Sequence, residues 1–388
     1  MKPLDQFLKQ MMASAKLASA NDAAGATKII QRALSQAGLM EAPAADREAA
    51  QDEPSSFVDL NSVPTWSGAA CTGRPPRMGR PPVDTGSTPN EQDTIEHQGR
   101  GQFISGVFRC AAGSRRYKLY LPPGASLANR PLLVMLHGCT QNAGDFALGT
   151  SMNLFADDDA CIVLYPEQDR AANPSGCWNW FDAAQQSRDA GEPAILAAMT
   201  RQIMADHAVD ESRVFVAGLS AGGAMAAILG ATYPDLFAAV GIHSGLAAGS
   251  GKDMITGLHA MKRPKRKANL RKSVPIIVFH GDADGVVHPE NGTIVLRQFI
   301  AAQDTARGSA LQERIEHGHT AGRAYTKTSW RHADGSCIAE HWLVHGAGHA
   351  WQGGQPAGSH TDPSGPCASK EMLAFFNGAR RPATGCER

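Results

Sequence analysis

A serine attacks a carbonyl only when a neighbouring base takes its proton and a third group holds that base in the right tautomer. Ser220 lies in Val214-Phe215-Val216-Ala217-Gly218-Leu219-Ser220-Ala221-Gly222-Gly223, an apolar run, a Gly-x-Ser-x-Gly motif and then small residues suited to a helix. That context predicts a sharp strand-to-helix turn with the hydroxyl at its tip. Glycines two before and two after the serine let the backbone double back without a clash. A helix starting after Ser220 would aim unpaired N–H groups at the same spot. Ser220 is therefore the candidate nucleophile, and the chemistry implied is acyl transfer. A bare motif of this kind recurs by chance, so the flanking strand and helix carry the assignment.

The acid and the base should follow the serine in that order. A strand over 275–280 runs into Gly281-Asp282-Ala283-Asp284-Gly285-Val286-Val287, which puts two aspartates in a loop at a strand end. Asp284 is preferred because it directly precedes the Gly-Val-Val turn, and Asp282 is read as a turn former bonding its own backbone. Of 14 histidines, His349 stands in the glycine-rich Gly346-Ala347-Gly348-His349-Ala350-Trp351 loop after a strand. His345 is the rival base, and His341 is expected to pack or face solvent. His137 and His280 each end a strand before a glycine and are read as loop-holding residues. Two N–H groups should receive the oxyanion. Ala221 offers one, and the Leu136-His137-Gly138-Cys139-Thr140-Gln141 segment offers Cys139 for the other, its thiol incidental; the alternative is that His137-Gly138 is merely a tight turn.

These residues need a scaffold that brings distant loops to one edge. Short β-rich runs at 117–121, 132–137, 161–165, 214–217, 239–243, 275–280 and 339–344 alternate with helical stretches at 194–207, 222–232, 291–302 and 369–377. That alternation predicts an α/β fold, a mostly parallel sheet with helices on its faces, spanning 101–382. Residues 1–40 read as a hairpin of two amphipathic helices, with Leu4, Phe7, Leu8, Met11 and Met12 on one face and Ile29, Ile30, Ala33 and Leu34 on another. A hairpin this small buries too little alone, so it is expected to dock on the main domain, on a second copy or on a granule surface. Residues 41–100, acidic and then rich in Gly, Pro and Arg, form a linker or an ordered wrap.

Composition narrows the partners. Lys plus Arg and Asp plus Glu number 37 each, so the formal net charge is zero. Nothing in that balance recommends nucleic acid. The local basic run at 262–272 lacks aromatic or recognition-helix patterning and reads as a solvated loop. No stretch reaches the roughly 20 apolar residues that span a bilayer. The start, Met1-Lys2-Pro3-Leu4-Asp5-Gln6-Phe7, lacks the apolar core of an export signal, which favours a cytoplasmic enzyme over one exported by an unseen route. Eight cysteines pull the other way, since even numbers in exported chains often pair. There is no CxxC spacing and no HExxH, so neither a metal nor an organic cofactor is expected.

Several motifs together resemble the esterases related to the catalytic domains of poly(3-hydroxybutyrate) depolymerases, whose relatives include feruloyl and acetylxylan esterases. The segments are His137-Gly138-Cys139-Thr140-Gln141, Cys177-Trp178-Asn179-Trp180-Phe181, Gly218-Leu219-Ser220-Ala221-Gly222-Gly223, Gly348-His349-Ala350-Trp351 and Thr361-Asp362-Pro363-Ser364-Gly365-Pro366. The resemblance implies an α/β-hydrolase fold and a serine esterase acting on hydroxybutyrate polyester, its oligomers or short-chain esters. It implies triad roles for Ser220, Asp284 and His349, an oxyanion hole at Cys139 and Ala221, and the oxyanion segment ahead of the serine as in the type I arrangement. It also suggests that Cys139 and Cys177 pair, and that Trp178 and Trp180 are candidates for an aromatic substrate wall, one of the two being expected in the core. The chain differs from secreted depolymerases in having no evident signal peptide or polymer-binding domain, which puts attack on crystalline polymer in doubt.

Overall fold

The computed structural model describes residues 99–381 except 125, 266–269 and 308–309. The hairpin expected at 1–40, nearly all of the 41–100 linker and the middle of the basic run lie outside the described residues. The strands are β1 (Gln102–Cys110), β2 (Gly113–Leu121), β3 (Leu132–Leu136), β4 (Ile162–Glu167), β5 (Val214–Leu219), β6 (Ala239–His243), β7 (Ile276–Gly281), β8 (Gln312–Thr320), β9 (Arg323–Arg331) and β10 (Cys337–Val344), with a small pair β11 (Trp351–Gln352) and β12 (Thr361–Asp362). The helices are α1 (Ala143–Thr150), α2 (Met152–Asp159), α3 (Gly191–Asp206), α4 (Ala221–Thr232), α5 (Met254–Lys262), α6 (Glu290–Arg307) and α7 (Ala368–Asn377).

Ten strands form one sheet in the order β1-β2-β4-β3-β5-β6-β7-β10-β9-β8. Its centre, β4 through β10, is parallel, as the sequence pattern predicts. Strands covered on both faces read as unbroken apolar runs, and every residue of β3, β5, β6 and β7 is buried. Alternate residues feed two cores. Leu132, Val134 and Leu136 pack on one face with residues of α3, α4 and α6, and Leu133 and Met135 pack on the other with residues of α1, α2 and α7. The outermost strands are antiparallel: β1 on β2, and β8 on β9. Among the described residues no helix is long and apolar enough to cross a membrane.

The register decides what the sheet can position. Leu136 is level with Gly218, Leu219 with His243, His243 with Phe279, and Gly281 with Val344. Parallel strands that end together send their following loops to one edge. The loops carrying Cys139, Ser220, Asp284 and His349 all leave from that edge.

Candidate active site

Ser220 follows β5 and caps α4 with φ 56° and ψ −116°, a left-handed backbone that costs a side-chain-bearing residue energy unless its surroundings enforce it. Two hydrogen bonds enforce it here: the Ser220 N–H donates to the His243 carbonyl at 2.8 Å, and its carbonyl accepts from the Ala224 N–H at 2.9 Å. The glycines of the motif meet backbone, not side chains. A β-carbon on Gly222 would lie 2.0 Å from the Leu136 carbonyl oxygen and 2.6 Å from that of His137, and one on Gly218 would lie 2.4 Å from the Gly222 carbonyl carbon. The elbow therefore sits directly against the loop that follows β3.

The loops after β7 and β10 meet through two aspartate–histidine pairs. His349 Nδ1 is 2.7 Å from Asp284 Oδ2, while Asp284 Oδ1 accepts from the Val286 and Val287 N–H groups at 2.8 and 2.9 Å. Burial opposes ionisation of Asp284, yet hydrogen bonds from His280 and His349 hold its carboxyl well below the usual carboxylate range. With Nδ1 donating to Asp284, the bare nitrogen of His349 is Nε2, the one a base needs. The rivals are bonded to each other: His345 Nδ1 lies 2.7 Å from Asp282 Oδ2, and Asp282 Oδ1 accepts from the Gly346 N–H at 2.7 Å. Asp282 thus does more than the turn-forming bond to its own backbone that was expected of it. It also joins the two loops, and Asp284 too bonds its own turn.

The third loop is held rigidly. Thr140 has φ 68° and its N–H donates to the Ser175 carbonyl at 2.8 Å, and a disulfide joins Cys139 to Cys177, the pairing the resemblance suggested. His137 Nε2 accepts from the Gln168 N–H at 3.1 Å, so Nδ1 carries the proton and donates to the Gly138 carbonyl at 2.8 Å. Behind these lies a buried polar cluster that sequence reasoning missed. Glu192 accepts from the backbone and side-chain amides of Asn179, each at 2.8 Å, and from Gln168, which also donates to the Cys177 carbonyl at 2.8 Å. Satisfied buried networks of this kind fix one geometry. Among the described residues neither the Cys139 nor the Ala221 N–H has a hydrogen-bond partner, as donors kept for a ligand would be.

The two tryptophans do not form a wall. Trp178 is fully buried, with its indole N–H donating to the His137 carbonyl at 3.1 Å, and Trp180 is 5% exposed. Both belong to the buried core, and for Trp178 the satisfied indole N–H removes the cost of full burial. The core place expected for one of the two holds for Trp178, and the substrate wall expected at the other is corrected, since Trp180 is buried as well.

Two further histidines, not singled out from sequence, stand around the site. His243, behind Ser220, accepts from the Gln352 N–H at 3.3 Å and stacks on Trp351 at 4.9 Å. Burial, then the neighbouring His280 and His349, push its pKa down to about 3, so it packs as a neutral ring. His360 is exposed, with Nε2 3.3 Å from Thr140 Oγ1 and its carbonyl accepting from the Trp351 N–H at 2.8 Å. The Thr361-Asp362 motif beside it was the available signal: Asp362 is clamped by Arg323 Nε and Nη2 at 2.9 and 2.6 Å. Among the described residues no group of three or more His, Cys, Asp or Glu side chains could hold a metal ion.

Comparison with known proteins agrees with this geometry. The chain is 29% identical over 241 residues to poly(3-hydroxyalkanoate) depolymerase C of Paucimonas lemoignei, covering 58% of this chain and 56% of that protein's length. It is 31% identical over 205 residues to feruloyl esterase B of Neurospora crassa, covering 47% of this chain and 68% of that one. An acetyl xylan esterase structure from Aspergillus awamori superposes with a TM-score of 0.50 at 20% identity, over 68% of this chain and 94% of that one, which establishes the α/β-hydrolase fold. The model of the esterase PHB depolymerase family matches residues 115–316, more than half of the chain, and the chain belongs to that family.

Proposed function

We propose that the chain is a serine carboxylic ester hydrolase acting through an acyl-enzyme, with hydroxybutyrate polyester or its oligomers as the substrate class. The observation that carries this reading is the buried 2.7 Å bond between His349 Nδ1 and Asp284 Oδ2, at the sheet edge that also presents the strained Ser220 elbow. His349 Nε2 removes the Ser220 hydroxyl proton as Oγ attacks the ester carbonyl. The oxygen that gains charge receives the Cys139 and Ala221 N–H groups, donors that need no reorganisation when the charge appears. The intermediate collapses, the C–O bond to the alcohol breaks, and His349 passes its proton to the departing oxygen. A water then attacks the acyl-enzyme with His349 again as base, releasing the acid and restoring Ser220. Asp284 keeps the imidazole in the Nδ1–H tautomer and stabilises its cation.

The polyester assignment draws on the family and on the depolymerase relative, which acts on a poly(3-hydroxyalkanoate) by its name. A second reading, a feruloyl-type esterase, draws on the larger share of the Neurospora enzyme's length that aligns, 68% against 56%. The test compares wild type with Ser220→Ala on p-nitrophenyl butyrate, hydroxybutyrate trimer, amorphous poly(3-hydroxybutyrate) and methyl ferulate. Serine-dependent release of 3-hydroxybutyrate from trimer or polymer is expected. Ferulate release with inertness toward both hydroxybutyrate substrates would replace the first reading with the second, and full activity in Ser220→Ala would sink both.

A further inference from the structure

Asp284 carries a second imidazole. His280, the penultimate residue of β7, is wholly buried, and its Nε2 lies 3.3 Å from Asp284 Oδ2 and 2.9 Å from the Val287 carbonyl oxygen. Both neighbours are acceptors, so Nε2 carries a proton, which it donates to the Val287 carbonyl while lying in electrostatic contact with Asp284 Oδ2. Among the described residues the buried His280 Nδ1 has no hydrogen-bond partner, and a β-carbon on Gly292 would come within 2.9 Å of it. A proton on that nitrogen would be a stranded donor, so the surroundings fix the Nε2–H tautomer. The two histidines thus reach one oxygen with opposite nitrogens, Nε2 of His280 and Nδ1 of His349.

The rest of the carboxylate shows why this matters. Oδ1 is secured by the Val286 and Val287 N–H groups, whereas among the described residues Oδ2 has only the two imidazoles. During each turnover His349 gains and loses a proton at Nε2 while its Nδ1–H stays on Oδ2, so the charge facing this oxygen changes twice per cycle. We propose that His280 is a positioning residue for the triad, whose Nε2–H holds Asp284 Oδ2 toward His349 throughout the cycle and takes up part of the negative charge that His349 would otherwise feel alone. This rests on the triad reading of Ser220, Asp284 and His349.

The titratable groups near His349 are Asp284, His243 and His360, and those near His280 are Asp284, His243 and His341. Burial, then neighbouring imidazoles, press His243 to about 3 and His341 to about 4. Neither changes charge in the neutral range. Removing the His280 donor leaves more negative charge on Oδ2, favours the His349 cation and keeps the base protonated to higher pH.

The experiment measures kcat and KM for p-nitrophenyl butyrate against pH in wild type, His280→Leu and His280→Gln, with Ser220→Ala as the blank. His280→Leu should lower kcat about 10- to 100-fold, as small misplacements of catalytic groups do, with KM within about twofold because substrate does not touch His280. Its acid limb in kcat/KM should move up by about half a pH unit or more. His280→Gln, whose amide N–H can reach the same oxygen, should return the limb to the wild-type position. Should the leucine variant not fold, His280→Asn, too short to reach Oδ2, takes its place with the same expectation. An unmoved limb in the folded leucine or asparagine variant, or equal displacement in the glutamine variant, would overturn the proposal. Activity that survives Ser220→Ala would instead overturn the triad reading on which it rests.

Discussion

Two aspartate–histidine pairs bridge the same two loops at the same 2.7 Å distance, and they differ in their exposure to solvent. In the Asp284–His349 pair the side chains are 0% and 11% exposed, and in the Asp282–His345 pair 39% and 40%. Water and salt weaken the outer pair, whereas the inner pair interacts through a medium of low polarisability. The outer imidazole also spends its second nitrogen, Nε2, on Thr326 Oγ1 at 3.0 Å. Identical residue types and separation therefore yield a relay in one place and a clasp in the other. The clasp is still useful: with the Ala283 N–H on the Ala347 carbonyl at 3.1 Å, it ties together the loops from which the inner pair projects.

The sharpest way to break this contrast is Asp284→Asn, which offers His349 an amide and the wrong tautomer. A fall in kcat of about 10⁴-fold is expected, read by steady-state hydrolysis of p-nitrophenyl butyrate. Because the Asp284 carboxyl is held low in the fold, its contribution to stability is present above its unfolded value of about 3.9 and fades as pH falls below that. The stability difference between wild type and Asp284→Asn should shrink accordingly in acid, as urea titrations would report. A near-normal kcat would move the relay away from Asp284.

A smaller effect is expected from the loop after β3. Replacing Cys139 and Cys177 together by serine leaves every backbone donor in the chain but unties Cys139, and kcat should fall about 10- to 100-fold, short of the loss of a whole oxyanion donor. An unchanged kcat would mean that the Glu192 and Gln168 network alone holds the loop. The smallest effect belongs to Asp282→Asn. Exposed pairs are worth about 1 kcal/mol or less, so unfolding in urea should change by no more than that and kcat by about threefold at most. Coupling between Asp282 and His345 in a double-mutant cycle should weaken as salt is raised. A loss from Asp282→Asn as large as that from Asp284→Asn would reverse the roles of the pairs.

Legibility in the sequence followed burial. The central strands were readable because a strand covered on both faces must be apolar throughout, as Leu132-Leu133-Val134-Met135-Leu136 is. β8, Gln-Glu-Arg-Ile-Glu-His-Gly-His-Thr, was not, because eight of its nine residues are exposed; its pairing with β9 rests on backbone bonds and on the tight Ala321-Gly322 turn, where both φ angles are positive, 44° and 81°. α1 and α2 were missed for a related reason, since Ser151 and Ala160 end them in left-handed backbone that glycine would ordinarily mark. Ser220, Asp284 and His349 could be proposed from sequence because each stands in a glycine-bearing loop that follows an apolar strand. Glu192, His280 and Asn179 act by where their side chains meet others far along the chain, information that no local pattern carries. Which of Trp178 and Trp180 lies in the core was not legible, because an aromatic beside a site motif looks the same whether it faces a ligand or supports a loop from below.

The contact of Gly222 with the backbone of Leu136 and His137 bears on how this site could be redesigned. The Ser220 elbow and the loop after β3 are packed main chain to main chain, so neither backbone can be reshaped without moving the other. A library that randomises the elbow alone, or the 137–141 loop alone, samples mostly chains in which the partner no longer fits.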